Sequence, residues 1–536
     1  MTHEIKKIYD NDQNQLYDVC IIGSGMCGQI IANELRKKKK KIIIVESGKY
    51  DFDRNIQTLD IFNSQGLSFN TDSNQSYNNE LVRQFGGSAN HWGNQIMFFN
   101  KIDLLDRPWI YGNLKWHLSP QELEQYYIKI LKILYKKTFC DNVTFDDEIN
   151  LKYLSSFDKQ FTTNNDFIFP YSYHPENIEK FNLKSKFSKE LFKDKNITIL
   201  INSTVTKLNF KQFDYSIESI EVRSKKDKKK IKSKIFILCA GAMENARILM
   251  NNSIKNSVLK NHSLGHYFME HPRINIGYFD LKKKIPLSSM LGIKSKSINF
   301  RQALRFNEIF QSKHEILNSH INISPIFEKQ ETEFFIKFLK KIKSLISLKK
   351  LCLPYVENFK IKQFVDQLYF IPHRVSNKYL NYLMSKYFLF SKHYFSFEKL
   401  SVDYHGEQAP NYNSKIYLNN SKDIFDQYSL NVDWQLNEFD YRTIKKFSDY
   451  FRSMDNEIFE FKINKDIKIV NQKHRMGTTR MGDTKKDGVV DMNCKVFDVK
   501  NLYISGGSVF KTSSSSNPGI TIMAMALRLA EYLNKS

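Results

Sequence analysis

The sequence predicts an α/β fold with a nucleotide-binding βαβ unit, and three observations support this prediction. A glycine-rich turn near the start of the chain lies between two short apolar runs. Near the other end, a further apolar run precedes a serine-rich loop and an alanine-rich segment with helical spacing. The 536 residues are 41% hydrophobic and 14% aromatic, which is enough for a large core. More than one domain is expected at this length.

The first unit runs from Leu16 to Glu46. Its apolar run at 17–22 predicts a buried strand, and the residues from 29 to 36 have the spacing of an amphipathic helix. The run KIIIV at 41–45 predicts a second buried strand. Strand, turn, helix and strand in this order form a nucleotide-binding βαβ unit.

The turn inside this unit has the pattern GxGxxG. Gly23 permits a tight turn, Gly25 lets the backbone approach a pyrophosphate, and Gly28 lets helix and strand pack closely. The helix N-terminus then presents unsatisfied N–H groups to the phosphates. Glu46 ends the second strand, where a carboxylate can accept hydrogen bonds from ribose hydroxyls. The unit predicts a dinucleotide site without distinguishing NAD from FAD.

The rest of the chain contains further elements of both kinds. The patterns predict helices at 121–135, through 247–250 and at 521–533, and strands at 196–210, 216–223, 235–240, 416–418, 430–436 and 501–505. Residues 281–465 have no nucleotide signature and contain most of the aromatic side chains. We therefore expect them to form a second, substrate-side domain.

Composition narrows the classes of partner. The 81 basic and 57 acidic residues give a formal net charge of +24, which indicates either an anionic partner or lysines spread over solvated faces. No nucleic-acid motif accompanies the charge, so no nucleic-acid partner is expected. The six cysteines form no CxxC pair, which argues against a metal site or disulfides and fits a cytoplasmic protein. We expect neither a signal peptide nor a membrane-spanning helix.

Six segments together resemble the glucose–methanol–choline (GMC) oxidoreductases. They are IIGSGMCG near the start, FGGSANHWGN at 85–94, CAGAMENARILM at 239–250, LGHYFMEHP at 264–272, HRMGTTRMG at 474–482 and NLYISGGSVFKTSSSSNPGITIMAMA at 501–526. They have the order and spacing found in the family, and they look most like its pyranose and sugar dehydrogenase-type members. The stretch from about 281 to 400 resembles no known segment.

The resemblance implies two domains. A Rossmann-like FAD-binding domain is expected from residues 1–110, 190–280 and 466–536. A substrate-binding domain built on an antiparallel sheet with helices is expected from 111–189 and 281–465. The overall fold class is therefore α/β with an α+β substrate domain.

The resemblance also implies a catalytic pair, His474 and Asn517. In the family, a histidine in the segment matching HRMGTTRMG accepts the hydroxyl proton, and a histidine or asparagine before the NP proline hydrogen-bonds the same oxygen. An imidazole, with an ordinary pKa of about 6.5, is suited to take that proton as the carbon gives up a hydride. Asn517 orients the oxygen and stabilises charge that develops on it. The alternative is that His474 is an ordinary loop histidine.

Further cofactor residues follow from the same motifs. The resemblance assigns to the flavin the residues Gly86, Gly87, Ser88, His91 and Asn94, and it assigns Val205 and Ala240 to the adenine side. Gly507, after the last strand, and Thr521, in the last helix, are also expected to bind the cofactor. His91 occupies the position at which some members bond the flavin covalently, so a covalent link and non-covalent packing both stay open. The Gly506–Gly507 pair replaces an Asp–Ala pair, so a backbone N–H is expected to take the place of a side chain.

The sequence thus predicts an FAD-dependent dehydrogenase or oxidase that acts on the CH–OH group of a sugar or polyol-like alcohol. The alternatives are a sterol-type alcohol oxidase, a flavin-containing lyase of the same fold, and a non-catalytic FAD-containing membrane-associated protein. The electron acceptor, whether oxygen, a quinone or a cytochrome, is not identified by the sequence.

A basic amphipathic insertion is expected at about 330–395. Within it, residues 334–351 have apolar side chains on one helical face and lysines on most of the other. This pattern is typical of a helix in an acidic membrane interface, and the alternative is a helix that packs on its own domain. We therefore expect a cytoplasmic protein with peripheral contact at the inner face of the membrane as an open alternative.

Overall fold

The computed structural model describes most of the chain. The described residues are 15–60, 62–67, 81–91, 95–110, 114–134, 161, 166–168, 171–175, 181, 185–212, 214–225, 227–286, 298–326, 396–454 and 457–535. Asn94 and the predicted amphipathic helix at 334–351 lie outside them. Within these ranges, none of the helices has the length and apolar character needed to cross a membrane.

Eight α-helices occur in the described residues. They are α1 Met26–Leu35, α2 Lys101–Leu104, α3 Pro120–Leu134, α4 Lys186–Lys193, α5 Ala242–Ser253, α6 Glu308–His314, α7 Glu438–Arg452 and α8 Gly519–Lys535. Side chains fix several of their starts. In α7, for example, Asn437 accepts a hydrogen bond from the Phe439 N–H, and Asp440 accepts one from the Asn437 N–H.

The described strands belong to four sheets. In chain order they are β1 Leu16–Ile22, β2 Ile42–Val45, β3 Phe62–Gly66, β4 Phe167–Ile168, β5 Tyr171–Pro175, β6 Ile197–Leu200, β7 Thr204–Phe210, β8 Ile217–Arg223, β9 Lys228–Leu238, β10 Arg273–Pro286, β11 Ile298–Gln302, β12 Leu304–Phe306, β13 His320–Ile326, β14 Ser396–His405, β15 Lys415–Lys422, β16 Tyr428–Trp434, β17 Phe459–Ile463 and β18 Leu502–Ile504.

A seven-stranded sheet forms the nucleotide-side core. Its strands lie in the order β6-β2-β1-β9-β8-β7, and β18 pairs with β9. The pairs β1–β2, β1–β9, β2–β6 and β9–β18 are all parallel. Ile21, at the centre of this parallel part, is fully buried between Ile44 and Ile237. Helix α1 packs against α8 beside the sheet, as expected for parallel strands covered by helices.

A six-stranded sheet forms the centre of the second part, in the order β17-β10-β14-β13-β12-β4. Its ladders are antiparallel, with β10 lying between β14 and β17. Helix α7 packs on it through a cluster of aromatic rings that includes Phe279, Phe451 and Phe459. The predicted fold class, an α/β nucleotide part with an antiparallel substrate part, is confirmed.

The division of the chain into domains stays a prediction, but the cores differ from it in two places. Helix α3 was expected in the substrate domain; its apolar face, including Leu123 and Ile130, belongs to the nucleotide-side core. It packs on α8, a contact that its local pattern does not indicate. Strand β10 also crosses the expected boundary at residue 280, because its pairing with β14 continues on both sides.

The serine-rich loop is buried rather than exposed. Residues 512–516 are at most 3% exposed, and each hydroxyl has a partner within the protein. The Ser514 hydroxyl donates to Asp103 over 2.7 Å. Burial, and then the charge of Glu407, raise the pKa of Asp103 to about 6. Satisfied buried hydroxyls of this kind fix a loop in one conformation.

A buried ion pair supports the same network. Arg107 and Glu407 form two hydrogen bonds of 2.5 and 2.6 Å with almost no solvent exposure. Glu407 also accepts the N–H of Asn318, whose side chain donates to Asp103. The ion pair therefore links the substrate-side sheet to the serine loop through one continuous set of hydrogen bonds.

We expect Glu407→Gln to lower the free energy of unfolding by about 3–5 kcal/mol, because it leaves the Arg107 charge buried and unpaired. The control is Asp498→Asn, which removes the partner of the exposed Lys485 and should change stability by about 0–1 kcal/mol. Urea unfolding followed by tryptophan fluorescence measures both. Equal midpoints for the two variants would contradict the role assigned to the buried pair.

Candidate functional site

A cavity of about 620 Å³ opens where the parallel strands β1, β2 and β9 and strand β18 end. Its volume lies in the range of small-molecule sites, about 300–1,000 Å³. Eleven of the residues predicted from the sequence line it: Gly23, Gly25, Glu46, Gly87, Ser88, His91, Val205, Ala240, His474, Gly507 and Asn517. Residues from both ends of the chain thus meet in one place.

Three predicted cofactor residues within the described part of the chain, Gly28, Gly86 and Thr521, do not line the cavity. Gly86 has φ +90°, and a Cβ there would lie 2.4 Å from the Phe181 carbonyl oxygen, so it serves the turn rather than the site. Thr521 is fully buried, and its hydroxyl lies 2.7 Å from the Tyr127 hydroxyl. At the start of α8, Pro518 and its neighbours line the cavity instead.

The glycine turn has the geometry that the sequence predicts. Gly23 has φ +107°, and a Cβ on it would lie 2.5 Å from the Cys239 carbonyl oxygen. Gly28 allows close packing, since its Cβ would lie 2.1 Å from the Gly23 oxygen, although it does not line the cavity. Gly25 differs, because no atom lies within 4 Å of a Cβ built there. The N-terminus of α1 therefore faces open space that fits a pyrophosphate.

Glu46 lies beside this turn with 6% of its surface exposed. One carboxylate oxygen accepts hydrogen bonds from the Ser24 N–H and hydroxyl, at 3.0 and 2.7 Å. The other accepts the Gly48 N–H at 2.8 Å. The Ser47 hydroxyl also donates to this second oxygen, over a long 3.4 Å. These bonds hold the carboxylate at the end of β2, and a ribose hydroxyl can take the acceptor position that the weak Ser47 bond occupies. The residues around the turn thus fit the adenosine and pyrophosphate of a dinucleotide.

A buried charge cluster lies at one wall of the cavity. Arg83 and Glu244 line it and form an ion pair at 2.8 Å, and Arg247 lies at 3.4 Å from the same carboxylate. Burial raises the pKa of Glu244, but the two arginines outweigh this effect and lower it. Sequence reasoning missed Arg83 and Glu244 as site residues, although Glu244 lies inside the motif CAGAMENARILM.

His474 is the best candidate for a base in the cavity. Its backbone N–H donates to a Glu270 carboxylate oxygen over 2.8 Å, and its Nδ1 lies 3.1 Å from Nδ1 of His271. Burial, and then proximity to His271, hold the pKa of His474 well below its ordinary value. The ring is therefore neutral near pH 7 and able to accept a proton.

Two chain segments position His474. Met269 and Met476 exchange backbone hydrogen bonds of 3.0 and 2.9 Å in an antiparallel bridge. Extending that register by two residues places His271 opposite His474 on the same face. Gln472 also lines the cavity near His474 in the chain, and its side-chain oxygen lies 3.1 Å from Nδ1 of His405. Gln472 has no motif of its own, so sequence reasoning missed it.

Asn517 lines the same cavity as His474. It precedes Pro518 at the start of α8, and both residues line the wall. The positive end of the helix dipole is thus directed to the cavity. A base, an amide that can bind an oxygen, and a dinucleotide cradle together can carry out proton removal from a bound alcohol.

Comparison with known proteins identifies the family of the C-terminal region. Residues 410–526 match the family described as GMC oxidoreductase. This region is therefore similar to the GMC oxidoreductases. It contains His474 and Asn517, together with the buried serine loop. The recognition made from the sequence motifs is confirmed.

The curated relatives match over short segments. The 2-methyl-1,2-propanediol dehydrogenase of Mycolicibacterium austroafricanum is 39% identical over 62 residues, which are 12% of this chain and 11% of that protein. The pyranose 2-oxidase of Lyophyllum shimeji is 40% identical over 60 residues, or 11% of this chain and 10% of that protein. The chain therefore spans about a tenth of the length of these relatives, both of which are oxidoreductases.

Solved structures match over nearly the whole chain. Pyridoxine 4-oxidase from Mesorbium loti has a TM-score of 0.55 at 13% identity, covering 97% of this chain and 99% of that one. Formate oxidase of Aspergillus oryzae RIB40, solved in a study of its FAD modification, has a TM-score of 0.56 at 15% identity and covers 97% and 98%. These likenesses establish the fold. FAD, the cofactor predicted from the motifs, is the one named for the formate oxidase.

We expect Gly25→Ala and Gly28→Ala to have different effects. Gly25→Ala places a methyl group in open space, so it should leave the melting temperature of the cofactor-free protein unchanged and reduce bound FAD. Gly28→Ala forces its methyl group against the Gly23 carbonyl, so it should destabilise the protein itself. Thermal unfolding of the cofactor-free proteins and absorbance at the flavin band measure these effects. Normal FAD content in Gly25→Ala would contradict the predicted pyrophosphate position.

Proposed function

We propose that the protein is an FAD-dependent oxidoreductase that oxidises the CH–OH group of a sugar or polyol-like alcohol. The observation that carries this proposal is that the neutral His474 and Asn517 line the same cavity as the glycine turn. The similarity of residues 410–526 to the GMC oxidoreductases supports it, since that segment supplies both side chains.

The proposed reaction needs two transfers from the alcohol. Bound FAD supplies the acceptor for the hydride that leaves the carbon. His474 accepts the hydroxyl proton, so that a carbonyl compound is formed. Asn517 donates a hydrogen bond to the oxygen, which holds the substrate and stabilises negative charge as the proton leaves. Gly25 and Glu46 would hold the pyrophosphate and adenosine, and the backbone of Gly507, which lines the cavity, would take the place of a side-chain contact to the flavin.

Polar groups near the base favour a hydroxylated substrate. Three polar residues line the cavity together with the catalytic pair: Gln472, Lys473 and Gln95. Each can bind one of the additional hydroxyl groups of a sugar or polyol, which a simple apolar alcohol lacks. Among the matching relatives, pyranose 2-oxidase and the C-glycoside 3-oxidase of Arthrobacter globiformis have names that indicate sugar substrates. Cholesterol oxidase of Acinetobacter baumannii also matches, at 38% identity over 60 residues, so bulky alcohols belong in any substrate test.

Attachment of the cofactor, location and acceptor stay predictions. His91 lines the cavity and is solvent-exposed, which is compatible with a covalent link and with non-covalent packing. Acid precipitation distinguishes the two, because only non-covalent FAD is released. The proposed cytoplasmic location, with peripheral contact at the inner face of the membrane as the open alternative, is tested by cell fractionation and by liposome flotation. Mixing the reduced enzyme with oxygen, a quinone or a cytochrome identifies the acceptor.

We expect one class of alcohol to bleach the flavin absorbance when sugars, polyols, sterols and simple alcohols are added without oxygen. His474→Ala should slow this reduction by about 10²–10⁴-fold, because the proton acceptor is lost. Asn517→Ala should slow it by about 10²-fold. The control is His262→Ala, an exposed histidine away from the cavity.

The proposal is wrong if FAD-loaded protein is not bleached by any alcohol in a broad panel. It is also wrong in its assignment of the base if His474→Ala, with normal FAD content, is reduced as fast as the unmodified protein. Bleaching by sterols alone would overturn the sugar or polyol assignment and leave the catalytic pair in place.

We expect the rate of flavin reduction to stay constant as the pH falls through about 6.5, the ordinary pKa of histidine. The lowered pKa of His474 keeps the ring unprotonated, and therefore active as a base, until the pH is clearly lower. Stopped-flow measurement under anaerobic conditions over pH 5–8 tests this expectation. An acid limb centred near pH 6.5 would contradict it.

A further inference from the structure

We propose that His271 is a positioning residue that fixes the tautomer of His474, so that Nε2 of His474 carries the free lone pair. This inference rests on the proposed function, in which His474 is the base. His271 does not line the cavity, so it acts on the reaction only through the ring that it contacts. Its position next to Glu270 means that two consecutive residues hold His474.

The hydrogen on His271 is assigned by its partner. Nε2 of His271 lies 3.1 Å from the carbonyl oxygen of Ser513. A carbonyl oxygen only accepts hydrogen bonds, so this nitrogen carries the hydrogen. The ring is 1% exposed, and burial lowers its pKa to about 4, so it is neutral near pH 7. Nδ1 of His271 is therefore an acceptor.

The hydrogen on His474 follows from that assignment. The two Nδ1 atoms are 3.1 Å apart, and the ring planes meet at 75°. Since Nδ1 of His271 accepts, Nδ1 of His474 must donate. A neutral imidazole has one N–H group, so Nε2 of His474 is left without a hydrogen. This is the nitrogen that a base needs.

The Ser513 carbonyl, which accepts the hydrogen bond from His271, is itself held in place. The Ser513 hydroxyl accepts the Gln408 N–H at 2.9 Å, and the Gln408 side-chain oxygen accepts both the Glu270 N–H and the Trp434 indole N–H at 2.8 Å. All these groups are buried. The carbonyl of Ser513 therefore cannot easily turn away from His271, and the tautomer of His474 is set by the rigid part of the protein.

Substitutions of His271 separate its two hydrogen bonds. His271→Asn places an amide oxygen near the position of Nδ1, so it keeps the acceptor for His474. His271→Gln places its amide near the position of Nε2, so it keeps the donor to Ser513 and loses the acceptor. We expect His271→Asn to reduce flavin within about 10-fold of the normal rate, and His271→Gln to be slower by about 10–100-fold. The fall should affect the saturating rate rather than the substrate Kd.

A direct test measures the tautomer by histidine ring ¹⁵N–¹H correlation, with the His474 signal assigned from His474→Ala. We expect Nδ1–H at His474 in the unmodified protein and in His271→Asn, and Nε2–H or a mixture in His271→Gln. The control, His266→Gln, replaces a histidine in the same motif that contacts a backbone carbonyl through Nδ1 rather than Nε2 and that does not line the cavity. It should leave both the His474 signal and the rate unchanged.

Several results would overturn the inference. One is an Nε2–H tautomer at His474 in the unmodified protein. Another is a normal reduction rate in FAD-loaded His271→Gln. If His271→Gln fails to fold, the spectra of the unmodified protein and of His271→Asn decide the question. If no alcohol reduces the flavin of the unmodified protein, the proposed function fails, but the spectra still decide whether His271 fixes the tautomer.

Discussion

The parallel pairing of β1 with β2 and β9 is the constraint on which the site depends. The carboxyl ends of parallel strands lie at one edge of a sheet. The turn after β1, the carboxylate after β2 and the backbone after β9 therefore lie next to one another. Strand β18 joins the same edge through β9 and is followed by the loop that leads to Asn517. The cavity therefore exists because of the register of four strands.

The substrate-side wall depends on a different kind of interaction. Here buried polar groups connect the two cores. Hydrogen bonds between almost fully buried groups join the ion pair of Arg107 and Glu407, the serine loop and Gln408. Such groups are costly to bury and become stabilising only when all are satisfied. Their common effect is to fix the backbone around His271, which contacts the ring of His474, the proposed proton acceptor.

Local patterns allowed the βαβ unit to be predicted from the sequence, and the family resemblance implied both catalytic candidates. Eleven of the predicted site residues line the cavity, but most of its other lining residues were not predicted. Gly23, Gly25 and Glu46 act through conformations and hydrogen bonds set within one short segment. The contacts of His271 with Ser513 and of Arg83 with Glu244 join residues far apart in the chain, and no local pattern encodes them. Thr521 does not line the cavity, because its hydroxyl is bonded to the Tyr127 hydroxyl on the packed side of α8, and its assignment to the cofactor stays a prediction.

The packing of α8 on α1 has a consequence for biosynthesis. Helix α1 lies near the start of the sequence and α8 almost 500 residues later, yet each covers apolar surface of the other. During translation the part of α1 that packs on α8 has no native partner until α8 has been synthesised. Folding is therefore expected to be slow and exposed to aggregation, with FAD unable to stabilise early intermediates. High-level expression at elevated temperature would favour aggregates over the folded protein.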